Sequence, residues 1–190
     1  MKHFVLLFAL ALLVVACESS PTLQPTSTPI PTTKTPIPPT AGPFTLSSSA
    51  FTEGQTIPVD YSCKGVNISP ALTWTEPPSG TESFALIMFD PEADWAHWTL
   101  YNIPVSTREL KENMPKDSKL SDGSVQGRTT FGTTGYGGPC PPSKHTYVFT
   151  LYALDTTLSF EVPTAANRMA ILKAMEGHTL ASAELTGSFP

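Results

Sequence analysis

SFALIMF, residues 83–89, is apolar on both of the faces that a period-two chain presents. A strand of this kind belongs inside a sheet that is covered on both sides. Outward from it, Thr56 to Tyr61, Ala71 to Thr75, Trp95 to Ile103 and Thr146 to Leu154 are also rich in β-branched and aromatic residues, with Pro, Gly, Asn and Ser between them. One helix is predicted after Pro163-Thr164, with Thr164 as its N-cap, Met169, Leu172 and Met175 along one side and a stop near Gly177. A last strand runs from Ala183 to Phe189. These elements predict a mainly β protein, an antiparallel β-sandwich with a C-terminal helix and few other short helices.

The chain before this pattern reads differently. Met1 to Ala16 carry Lys2 and the apolar run FVLLFALALLVVA, too short to span a bilayer comfortably and placed where a secretory signal sits. The run ends at Val14-Val15-Ala16-Cys17, which resembles a bacterial lipobox, where a small residue precedes a cysteine that is lipidated and becomes the new N-terminus. The alternative is a plain cleaved signal followed by a chance cysteine. Lipid on Cys17 would anchor the protein to a membrane without spanning it, at about 0.8 kcal/mol per buried methylene. The following residues, to Pro43, are mostly Pro, Thr and Ser. Each X-Pro step disfavours helix and there are too few apolar residues for a core, so an extended, disordered linker is expected. The organisation is therefore a lipoprotein signal at 1–16, a lipidated cysteine and linker at 17–43, and one domain at 44–190. The location it implies is the extracytoplasmic face of a bacterial cell envelope.

Apart from Lys2, Lys34 and Glu18, every Lys, Arg, Asp and Glu lies in that domain, nine basic residues against fifteen acidic. An acidic domain without a basic cluster sets nucleic acid aside as a partner. With Cys17 assigned to lipid, Cys63 and Cys140 are the remaining thiols in a compartment where disulfides persist. Their spacing fits no zinc pattern and there is no CxxC. A Cys63–Cys140 disulfide is expected; the other reading is two separately buried cysteines acting as small apolar groups.

The segment YGGPCPPSKHTY, residues 136–147, concentrates glycine, proline and cysteine just before a strand. Its prolines fix φ and its glycines allow sharp bends, so it suits the wall of a preformed pocket. In the strand that follows, alternation puts His145, Tyr147, Phe149 and Leu151 on one face. In the other aromatic strand it puts His97, Thr99, Tyr101 and Ile103 together. Asp90, His97 and His145 all fall near strand ends, where side chains can gather without opening a core. Taken singly, Asp90 before Pro91 reads equally as a turn residue, each histidine as a strand-end residue satisfied by backbone, and Trp95, Trp98 and Tyr147 as core or wall. His178, just past Gly177, reads as structural or capping.

DPEADWAHWTLYNIP at 90–104 and GYGGPCPPSKHTYVFTLYALD at 135–155 resemble the two signature regions of the phosphatidylethanolamine-binding proteins, in particular their bacterial Raf-kinase-inhibitor-like branch. YSCKGVNISPALTW at 61–74 and AMEGHTLASAELTGSF at 174–189 are similar to that branch as well. The resemblance implies a β-sandwich with a small surface cavity for phosphate-like or other anionic groups, and no established catalysis. By it, the cavity's acid is Asp90, its histidines His97 and His145, its wall aromatic Trp95 and its phenol Tyr147. Cys140, Pro141 and Pro142 form the loop wall. The usual Asp-Pro-Asp-Ala-Pro is Asp90-Pro91-Glu92-Ala93-Asp94 here, and the usual His-Arg-Tyr is His145-Thr146-Tyr147.

Three functions follow, in order. The first is a membrane-anchored binding protein for an anionic or phosphorylated small molecule or phospholipid headgroup. The second is an inhibitor of a protein partner such as a protease, a kinase being a poor match for a lipoprotein that faces outward. The third is a metal-dependent enzyme using Asp90, His97 and His145. No GxSxG elbow or phosphate loop is present, and Gly132, Gly135 and Gly137 are not followed by a helix. No cofactor, resident metal or catalytic residue is expected, and the protein reads as a non-enzyme.

Overall fold

The structure is a computed structural model that describes residues 42–190. The expected signal, the lipidation site Cys17 and the linker through residue 41 lie outside the described residues. Two antiparallel sheets make a sandwich. The smaller joins β1 (Leu46–Ser47), β2 (Leu72–Trp74) and β5 (Glu109–Leu110) in the order β1-β2-β5. The larger joins β3 (Ser83–Asp90), β4 (Trp95–Pro104), β6 (Val125–Gln126), β7 (His145–Leu154) and β8 (Thr179–Phe189) in the order β6-β4-β3-β7-β8.

The doubly apolar stretch occupies the centre of the larger sheet, as its composition requires. Phe84, Leu86 and Met88 enter the core between the sheets, with Leu72, Trp74, Phe149 and Leu185. Ala85 and Ile87 face a second core, closed by Ile171 of the late helix and by Met175, its C-cap. That helix, α1 (Arg168–Ala174), starts later than the sequence suggests. Asn167 is its N-cap, accepting from the Ala170 N–H at 3.0 Å, while Pro163–Ala165 forms a separate 3-10 turn. Of the side expected to be apolar, Leu172 and Met175 pack in this core together with Ile171, whereas Met169, in the first turn, is 64% exposed. Thr56 to Tyr61 is not a strand either. Thr56 makes one bridge to Ser188, and the residues after Pro58, which has no N–H to give a ladder, wind into a 3-10 turn at Val59–Tyr61.

β4 departs from simple alternation at two places. Met88 pairs with Trp98 and Phe89 with Ala96, so His97 is a surplus residue, a β-bulge. A second irregularity lies where Leu86 pairs with Leu100 but Phe84 with Ile103, beside Asn102 at φ 55°. Trp98, Leu100 and Ile103 therefore share the sandwich core, while Tyr101 belongs to the core under α1. The face expected to carry His97, Thr99, Tyr101 and Ile103 together does not exist.

Candidate functional site

Asp90 is the last residue of β3 and is 2% exposed. Its Oδ1 accepts the Ala93 N–H at 3.0 Å and closes the turn into β4. Its Oδ2 lies 2.8 Å from Nδ1 of His145, the first residue of β7. The carboxylate accepts, so Nδ1 carries the proton and Nε2 is the free ring position.

His97 is placed by its bulge. An extra residue re-aims the strand locally, and the His97 ring sets its edge against Tyr147 at 5.1 Å and Phe131 at 5.3 Å between centroids. Its Nδ1 donates to the Gly137 carbonyl at 2.7 Å, and the Gly137 N–H donates back to the His97 carbonyl at 3.0 Å. Again Nε2 is the free position. Burial lowers the His97 pKa below its ordinary value, against the opposing pull of the Gly137 carbonyl and the Asp90 charge. At neutral pH this ring is uncharged. Burial also raises the Tyr147 phenol, and the Asp90 charge adds to it. Tyr147 thus stays protonated, yet no acceptor meets its hydroxyl in hydrogen-bond geometry, and the Trp95 indole N–H is likewise buried and unpaired.

The loop wall is cross-linked. Cys63 and Cys140 form a disulfide with Cα atoms 5.4 Å apart, so the reading of two separate thiols is set aside. The Cys63 N–H donates to the Pro139 carbonyl at 3.0 Å, the Gly138 N–H to Asn67 Oδ1 at 2.8 Å and the Tyr136 hydroxyl to the Tyr61 carbonyl at 2.6 Å. Gly138 is needed for this approach: a Cβ there would collide with the Tyr61 carbonyl oxygen.

Asp90, Trp95, His97, Cys140, Pro141, Pro142, His145 and Tyr147 all line one cavity of 210 Å³, with Ala93 and Phe131. Phe131 was not anticipated. It sits in a Thr/Gly-rich loop without strand periodicity, 44% exposed, with its ring edge-on to Trp95 at 5.4 Å. An aromatic held out of the core in such a loop is the signal that finds it. His178 is elsewhere, paired with Asp155 at 2.8 Å on the surface. Among the described residues no group of three or more His, Cys, Asp or Glu is arranged to hold a metal ion.

Residues 47–190 match the family model described as phosphatidylethanolamine-binding protein. The chain belongs to the phosphatidylethanolamine-binding protein family. Among relatives, a UPF0098 protein of Methanothermobacter thermautotrophicus is 49% identical over 144 residues, covering 74% of this chain and 94% of its own. One from Aquifex aeolicus is 43% identical over 148 residues, covering 75% of this chain and 85% of its own. Among solved structures, a phosphatidylethanolamine-binding protein homologue of Chlamydia trachomatis superposes with a TM-score of 0.70 at 39% identity, over 77% of this chain and 97% of that one. YbcL of Escherichia coli gives 0.71 at 34% identity over the same shares, 77% and 97%.

Against the pattern to which the sequence was likened, this family member differs at the turn beside Asp90. Asp94, where that pattern has proline, has φ 51°, a conformation a proline ring forbids. Glu92 Oε1 accepts the Thr146 N–H at 3.2 Å, which ties the turn to the first residues of β7.

Proposed function

We propose that this protein is a binding module that takes a phosphate-like group into the cavity bounded by Asp90, His97 and His145, and that it works outside the cytoplasm, anchored through lipid on Cys17. The reading is carried by one observation: both histidines have Nδ1 committed, to Asp90 and to Gly137, so each can address a ligand only through Nε2. A neutral ring offers a lone pair there, and a protonated ring offers a charge-assisted N–H. An oxyanion therefore binds with proton uptake, or brings its own proton to a neutral Nε2. Asp90 opposes a bare anion, and its Oδ2 is already engaged by the Nδ1–H of His145. The unmatched Tyr147 hydroxyl and Trp95 N–H are the neutral donors in the wall.

Calorimetric titration of phosphate and of phosphoethanolamine across pH 5.5–8 tests this. Affinity rises as pH falls through the histidine range. His145→Ala removes one charge-assisted hydrogen bond, on the order of 1.5–3 kcal/mol, and flattens the pH dependence. If His145→Ala and Asp90→Asn titrate as the parent does, the cavity is not the site and a protein partner becomes the better reading. For the anchor, Cys17→Ser expressed in a bacterium loses partition into detergent; unchanged partition rejects lipidation.

A further inference from the structure

Beside the small cavity lies a larger one of 910 Å³, and the two share Phe131 and Cys140 as a common wall. Its lining contains Lys116 and Arg128 and no Asp or Glu, although the domain as a whole is acidic. Neither cation makes an ion pair among the described residues. Their backbones are fixed nonetheless: the Arg128 N–H donates to the Ala166 carbonyl at 2.8 Å and the Lys116 carbonyl accepts from the Thr134 hydroxyl at 3.1 Å. The rest of the lining is uncharged: Asn67, threonines and Tyr136 stand beside glycines, the Phe131 ring and the disulfide.

From these features we infer that the groove takes the far end of an extended ligand, a small molecule with two acidic groups separated by an apolar spacer. One group enters the 210 Å³ cavity, the spacer crosses Phe131, and the second group meets Lys116 and Arg128. This rests on the reading of the small cavity as an anion site. Charge complementarity selects the second acid, because an uncharged tail would leave both cations unanswered and a cationic one would be repelled. The partition by Phe131 selects for length, since two linked groups help each other only when the spacer spans both sites.

The test is calorimetry at low salt with alkane-α,ω-bisphosphonates of increasing chain length, each against the alkyl monophosphonate of equal length. With the parent protein, one length binds about tenfold more tightly than its monophosphonate, and the advantage shrinks as sodium chloride is added. In the Lys116→Gln/Arg128→Gln variant the ratio returns to near one, while the part of inorganic phosphate binding that His145→Ala removes is unchanged. Both residues are exposed, so folding is not at stake. A ratio near one at every length, with monophosphonate binding still weakened by His145→Ala, overturns the groove inference and leaves the small-cavity reading intact. Bisphosphonate binding that depends on Lys116 and Arg128 but not on His145 overturns the small-cavity reading and with it the bridged ligand. Absence of binding by either series overturns both.

Discussion

The loop from Tyr136 to Pro142 and the turn from Pro91 to Asp94 border the same cavity, but they are fastened by different chemistry. The loop is tied to residues 61–67 by a disulfide, two backbone donors and one phenol donor. None of these ties changes charge near neutral pH. The turn is held by two carboxylates, Asp90 on the Ala93 N–H and Glu92 on the Thr146 N–H. Each is strongest when ionised. One wall is therefore held without a charged group and is exposed to reductant, whereas the other relies on carboxylates and has no disulfide.

The largest effect that could break this contrast comes from the disulfide, which closes a 77-residue separation. The Cys63→Ala/Cys140→Ala variant loses on the order of 4 kcal/mol in chemical denaturation, on the chain-entropy account. On the proposed function, phosphate affinity falls by less than about threefold, because the hydrogen bonds still seat the loop. A loss of ten times or more means that the bonds alone do not hold the wall.

Next in size is the turn. Asp94→Pro costs about 3 kcal/mol, since proline cannot reach the φ of 51° found there. Asp94→Gly relieves the same backbone cost and gains up to about 1 kcal/mol. Equal stability for the two variants by urea denaturation would show that the turn is not held in this conformation.

The smallest effect sharpens the acid side. The folded pKa of His97 lies below its unfolded value of 6.5, so the unfolded chain takes up more protons as pH drops through and beneath 6.5. Stability falls with pH in that window, with a limiting slope of about 1.4 kcal/mol per pH unit, and is fully present above it. His97→Asn removes this slope, whatever it does to absolute stability. Urea midpoints between pH 7.5 and 5 that fall equally in parent and variant would show that the acid sensitivity does not come from His97.

The sandwich was legible because SFALIMF has one chemical explanation, burial on both faces, and the Gly-Pro-Cys loop was legible because its residues restrict the backbone in ways that a wall needs. All eight predicted cavity residues converge, Asp90 and His145 in direct contact. The phase of β4 was hidden. A surplus residue at His97 changes which side chains share a face, yet leaves composition and local propensity unchanged. Phe131 was hidden for a related reason, as no periodic pattern surrounds it. The helix start was misread because Thr164 offers the same hydroxyl chemistry as a true cap, and only the Asn167 contact with Ala170 distinguishes the two.

The Asp90–His145 contact also has a temporal meaning. Asp90 and His97 come from one hairpin closed by a four-residue turn, so they are brought together by a short and rapidly closed loop. His145 is 55 residues beyond Asp90 and arrives only when β7 docks along β3. Non-local pairing of that kind is the slow part of assembling a β-sandwich. In a refolding chain, the proposed anion site is therefore complete only once the central strands have zipped, later than the first hairpin.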